Sequence, residues 1–138
     1  MDVKLTALAE AVRSFGLLAR LDWAQTATDL NNDVLLDGLQ NGCIQKFEYT
    51  TELCWKTWRA ILKELDGLEE STPKKVIKAC FLAGYFDVAD YELLISAVDE
   101  RNRLSHVYDR NGFVAALTLM PQFADLYDRL LSVAQKLA

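Results

Sequence analysis

The sequence predicts an all-α fold, an antiparallel helical bundle of about five helices built on a four-helix up-and-down core. Three observations lead there. Apolar residues recur at spacings of three and four, the helical period, and no stretch alternates as a strand does. Only six glycines and two prolines interrupt 138 residues, so helix breakers are scarce. Apolar residues make up 51% of the chain and charged residues 25%, the balance of one compact domain, so residues 1–138 are expected to form a single unit.

Taken in order, Leu5, Leu8, Val12, Phe15 and Leu18 form one stripe, which predicts a first helix over about Val3 to Leu21. The segment "DWAQTATDLNND" follows and reads as a connector rich in polar and capping residues. Asp33 is the expected N-cap of a long second helix reaching Asp66, where Gly67 supplies the stop. Its seam is Ile44, Phe47, Thr51, Cys54, Trp58, Ile61 and Leu65, the alternation of three and four that suits antiparallel neighbours. "STPKKVIKACFLAGY" predicts a short third helix with its cap at Ser71 or Thr72, Pro73 in the first helical position and Gly84 as terminator. Asp87 caps a fourth, whose apolar face is Val88, Tyr91, Leu94, Ile95 and Val98. "DRNG" marks a turn, and the last helix is expected from about Phe113 to Lys136 with a kink at Pro121.

Composition narrows the function classes. A formal charge of −5 excludes a surface that grips nucleic acid all over, while leaving room for a local basic site. No apolar run approaches about eighteen residues, and no secretory leader pattern opens the chain, so a soluble cytoplasmic protein without a membrane segment is expected. Cys43, Cys54 and Cys80 show no CxxC spacing and read as small buried hydrophobes in a reducing compartment. One histidine and scattered thiols do not make a usual zinc site, and "DLNNDVLLDGLQ" fails as a calcium loop. Val34 stands where the calcium turn needs glycine, and Gln40 where a bidentate glutamate is needed. No metal and no cofactor are expected. Gly38 and Gly42 form a GxxxG that reads as close helix packing, within or between chains.

Two constellations carry chemistry. In "KFEYTTELCWKTW", Glu48 and Glu52 stand one helical turn apart, an arrangement of like charges that destabilises a helix slightly. Glu52 is also four before Lys56, so it is either half of a solvated ion pair or the receiver of an arginine from another helix, with Arg101 the preferred donor. In "RNRLSHVYD", His106 is the only imidazole of the chain. A continuous helix would rotate it about 140° from Arg101, so the two converge only if the helix ends near Ser105 or if two chains bring their copies together. Arg101, His106 and the Asn102 amide are the groups that phosphodiester cleavage needs: imidazole exchanges a proton near neutral pH, and guanidinium stabilises charge building on phosphate oxygens. Around them, Asp99, Glu100 and Asp109 offset Arg101, Arg103 and Arg110, while Lys74, Lys75 and Lys78 offer a basic edge.

The spacing Arg101-Asn102-(x)3-His106-x-Tyr108 matches the RNxxxHxY form of the Rx4–6H motif of HEPN domains, small helical bundles. "QKFEYTTELCWKTWRAIL" resembles the helix of the HEPN branch known as nucleotidyltransferase substrate-binding proteins, and the resemblance covers essentially the whole chain. It implies a homodimer, or a higher oligomer, with two motif copies meeting across a groove. It also implies a minimal nucleotidyltransferase as partner and RNA or a nucleotide as ligand. By that resemblance Arg101 binds the scissile phosphate, His106 is the acid–base group, Asn102 orients them, and Arg103 and Tyr108 contact nucleotide or RNA. Tyr108 is further implied as the hydroxyl that the partner modifies with AMP. The function expected first is therefore a HEPN-type toxin, a metal-independent endoribonuclease neutralised by its nucleotidyltransferase. The alternative is a non-catalytic nucleotide- or substrate-binding subunit of a two-component nucleotidyltransferase. A third possibility is a dimerisation module in which the motif only stabilises the interface.

Overall fold

The computed structural model describes residues 1–106 and 109–138, with residue 106 described by its backbone alone. Among them six α-helices follow one another: α1 (Thr6–Ala19), α2 (Trp23–Leu30), α3 (Asp33–Asp66), α4 (Pro73–Leu82), α5 (Val88–His106) and α6 (Arg110–Leu137). The spine is α3, whose 34 residues extend about 50 Å at ~1.5 Å per residue. Helices α1 and α6 pack on it and on each other, α4 lies against α3 and α5, and α5 closes the bundle against α6.

Side chains of the apolar stripes meet in one core. Phe15, Phe47, Trp58, Phe123 and Tyr127 are its largest buried members. Phe47 stacks on Phe123 with centroids 5.1 Å apart, and Phe15 meets Phe47 at 5.9 Å and Tyr127 at 6.0 Å, so three aromatic contacts bind α1, α3 and α6 together. At the other end, Trp58 meets the edge of Phe86 at 4.7 Å, which ties α3 to the connection between α4 and α5. Cys43, Cys54 and Cys80 are buried free thiols, as expected. Burial pushes their pKa up, to about 11 for Cys43 and about 12 for Cys54 and Cys80, so the reactive thiolate is suppressed.

The structure corrects the expected elements in five places. The connector before α3 contains a helix of its own, α2. Asp22 caps it by accepting from Gln25 N at 3.1 Å, and Asn31 ends it in the left-handed conformation at φ 44°. With eight residues and none of them buried, α2 lacks the apolar stripe that announces a helix. The cap of α3 is Asn32, whose Oδ1 accepts from Val34 N and Leu35 N at 3.1 Å each, and Asp33 is the first helical residue. "DRNG" is likewise a helix start: Asp109 accepts from Asn111 N at 2.9 Å, so α6 begins three residues before Phe113 and continues through Pro121. Finally, Leu65 (43% exposed) and Val88 (57%) lie outside the core, each at a helix end where the bundle has no facing layer. Thr72 caps α4 ahead of Pro73, Gly84 takes φ 88° beyond its end, and α1 is shorter than expected at both ends.

Phe47 bridges two of the three aromatic contacts and is fully buried. Phe47→Ala should lower stability by about 3–5 kcal/mol, read as a shift of the urea midpoint at unchanged slope.

Candidate functional site

Helical periodicity puts Asp37, Asn41, Gln45, Glu48 and Glu52 on one face of α3, beside the buried seam. Glu52 is the most heavily engaged of them. Its Oε2 takes the Trp55 indole N–H at 3.1 Å and stands 3.1 Å from Arg101 Nη2 on α5. Its Oε1 stands 3.0 Å from Lys56 Nζ. Partial burial works against the charged carboxylate, but Trp55, Lys56 and Arg101 together outweigh it, so the Glu52 pKa falls below its ordinary value.

Of the two partners the sequence left open for Glu52, the structure brings both, Lys56 and Arg101. The Glu52 and Arg101 side chains are both about 30% exposed, so solvent screens the pair less than it screens a surface ion pair. The Arg101 Nε is buried and has no hydrogen-bond partner among the described residues. Behind it, the Tyr127 hydroxyl hydrogen-bonds Thr51 Oγ1, and Thr51 donates to Phe47 O at 2.8 Å or shares that bond. Burial, with the Cys54 thiol adding to it, pushes the Tyr127 phenol well above its ordinary pKa against the opposing influence of Thr51 and Arg101. Tyr127 therefore stays neutral and leaves the charge of Arg101 to Glu52.

A cleft of about 520 Å³ opens between α3, the end of α5 and the start of α6. Asn41, Ile44, Gln45, Glu48, Leu104 and Phe113 line it. At its rim Arg110 Nη1 is 3.9 Å from Asp37 and its guanidinium lies 5.6 Å from the Phe113 ring centroid. Asn41 donates its amide to Asp37 O at 2.8 Å. The cleft thus combines an aromatic wall, two amides and the Glu48 carboxylate, groups that suit a flat ligand with polar edges.

The expected site residues divide accordingly. Glu52 and Arg101 are brought together, and Glu48 sits one turn away in the cleft. Asn102 is exposed. Arg103, expected to contact ligand, is used internally: it pairs with Glu100 and reaches Gly112 O at 3.3 Å. A Cβ on Gly112 would come within 2.7 Å of Arg103 Nη1, so the glycine makes room for this brace between α5 and α6. The side chain of His106 and the whole of Tyr108 lie outside the described residues. Helix α5 is described as far as His106, so the expected helix end near Ser105 and its convergence with Arg101 fall at the edge of the described residues. Lys74, part of the expected basic edge, pairs with Asp99 at 2.6 Å. For Gly42, the nearest side chain across the helix interface is Leu18 at 3.8 Å, and nothing lies near Gly38, so packing within the chain does not account for both glycines. The residues that sequence reasoning passed over are Trp55, Arg59 and Tyr127, while Thr51 was expected in the seam and also bonds the Tyr127 hydroxyl. The Trp55–Arg59 spacing of four was the available signal for two of them.

The family model described as nucleotidyltransferase substrate binding protein like matches residues 8–136. Among solved structures, a Thermus thermophilus protein aligns with a TM-score of 0.78 at 28% identity, over 92% of this chain and 98% of that one. A Haemophilus influenzae protein, described as revealing the fold of a substrate binding domain of a nucleotidyltransferase, aligns with a TM-score of 0.74 at 23% identity, over 96% and 99%. That second likeness is one of fold. No curated protein sequence matches the chain. No described helix is long and apolar enough to cross a membrane.

Because the folded pKa of Glu52 is lowered, its contribution to stability is complete above the unfolded value of about 4.3 and is lost as pH falls through the lower folded value. Glu52→Gln should cost about 1–2 kcal/mol at neutral pH. Denaturation curves of the two proteins should converge as the pH is lowered below about 4.

Proposed function

We propose a role for this chain on the premise of its membership: it belongs to the nucleotidyltransferase substrate binding protein like family. It acts as the non-catalytic subunit of a two-component nucleotidyltransferase, holding nucleotide or acceptor substrate for a partner that carries the transfer chemistry. The observation that supports this reading is Arg101, held by Glu52 at 3.1 Å with its side chain still about 31% exposed. A preset guanidinium on a partly shielded face is suited to an anionic oxygen of a ligand. The adjoining cleft supplies a place for the rest of the molecule. The carboxylate that positions Arg101 also holds part of its charge, which favours binding and orientation over phosphodiester cleavage. The resemblance to HEPN domains is compatible with this reading, since it concerns the bundle and its motif and leaves the activity to be measured.

The endoribonuclease toxin draws its support from the segment Arg101 to Tyr108 alone. The two readings separate in cells and in solution. Co-expression with the nucleotidyltransferase encoded in a neighbouring reading frame should give a complex that survives size-exclusion chromatography, and expression of this chain alone should leave growth unaffected. Arg101→Ala should keep the complex while weakening substrate binding by about tenfold or more. Growth arrest by the wild type that His106→Ala relieves, with cleavage of single-stranded RNA in the presence of a chelator, would overturn the binding role. AMP found on Tyr108 by mass spectrometry after co-expression would point the same way.

A further inference from the structure

The face of α3 that carries Glu52 continues beyond it. Steps of three and four from Gln45, Glu48 and Glu52 bring up Trp55, Lys56 and Arg59 within the same stripe. Charge changes sign along this stripe: carboxylates occupy its first half, and an ammonium and a guanidinium follow.

The two cations are organised around one ring. The Arg59 guanidinium lies 5.1 Å from the Trp55 ring centroid, and Lys56 Nζ lies 6.0 Å from it. Trp55 itself is fixed, being 6% exposed and bound through its N–H to Glu52. Among the described residues, no carboxylate is within ion-pair distance of Arg59. A guanidinium laid over an indole keeps its N–H donors at its edge, in the fork geometry that matches two oxygens of a phosphate. Arg101 reaches the same cluster from α5. Lys56 and Arg101 pair with Glu52 and Arg59 lies over the adjoining Trp55 ring, so three cations stand beside the Glu48 and Glu52 carboxylates, a local positive surplus in a chain whose net charge is −5. Attraction of an anion to this spot is local and does not depend on the sign of the whole protein.

We propose that Trp55, Lys56 and Arg59 form the polyphosphate arm of a nucleoside triphosphate site. The nucleotide lies along α3 with its base in the cleft, against Phe113 and the amides of Asn41 and Gln45, and its phosphates on Lys56 and Arg59. This deepens the substrate-binding reading and rests on it. From Gln45 to Lys56 the helix rises about 16 Å at ~1.5 Å per residue, comparable to an extended nucleoside triphosphate from base to terminal phosphate.

Isothermal titration of the full chain with ATP, with inorganic triphosphate and with a single-stranded oligoribonucleotide tests this. ATP and triphosphate should both bind, more weakly as salt is raised. Arg59→Ala and Lys56→Ala should each reduce both affinities by about tenfold or more, while Arg59→Lys retains part of the binding because charge survives and the planar fork does not. Both residues are exposed, so the melting temperature should fall by no more than the loss of a surface ion pair or cation–π contact allows, and the variants should remain folded. Phe113→Ala should weaken ATP and leave triphosphate unchanged. Absence of ATP binding at millimolar concentration, full affinity in Arg59→Ala, or binding of the oligoribonucleotide alone would each overturn the proposal. If the complex with the nucleotidyltransferase still forms and ATP does not bind, the polyphosphate arm falls and the substrate-binding reading stands.

Discussion

One helix has to face two ways. The buried seam of α3, through Phe47, Thr51, Cys54 and Trp58, and the polar stripe through Gln45, Glu48, Glu52 and Arg59 are roughly 100° apart around the same axis. The geometry of every side chain in the site is inherited from the packing of the seam. Trp55 stands at the border: it is buried like a core residue, yet its N–H holds Glu52 and its ring carries Arg59. A site built on a helix locked in this way keeps its groups in place before a ligand arrives, so less ordering is left to do on binding.

The bundle was legible where apolar spacing was dense. Five of the six helices announce themselves through stripes such as Leu8, Val12 and Phe15 or Phe47, Cys54 and Trp58, whose buried positions the structure reproduces. Helix α2 does not, because it touches only α3 among the described helices and buries no residue of its own. It is held by its caps, and caps read equally well as turns. The same ambiguity misplaced the start of α6: Asp109 followed by arginine, asparagine and glycine has the composition of a turn, and only the long apolar run behind it makes it a helix start. Boundaries set by one polar hydrogen bond are local choices that tertiary packing finally decides.

At the site, the signal that worked was an electrostatic inconsistency. Two glutamates one turn apart oppose helix formation slightly, which pointed to a cation at Glu52 from the same helix or from another, and Lys56 and Arg101 both supply one. The signal that misled was residue type taken alone. Arg103 sits in the same basic run as Arg101, but a side chain two positions on along a helix points about 160° away, and there it pairs with Glu100 and reaches the backbone of Gly112. That Arg103 braces α5 against the start of α6 follows from the placement of α6, a contact that no local pattern encodes.

The three thiols acquire a second meaning from their burial. Thiol-reactive reagents attack the thiolate, and here both access and ionisation are denied to them in the native state. Labelling therefore waits for the surrounding structure to open. Cys43 lies in the half of α3 that faces α1, Cys54 beneath the arginine site, and Cys80 on α4 against Trp58 O at 3.9 Å. The order in which the three react is a native chronometer of local unfolding, one gauge in each region of the bundle. No foreign probe has to be introduced to read it.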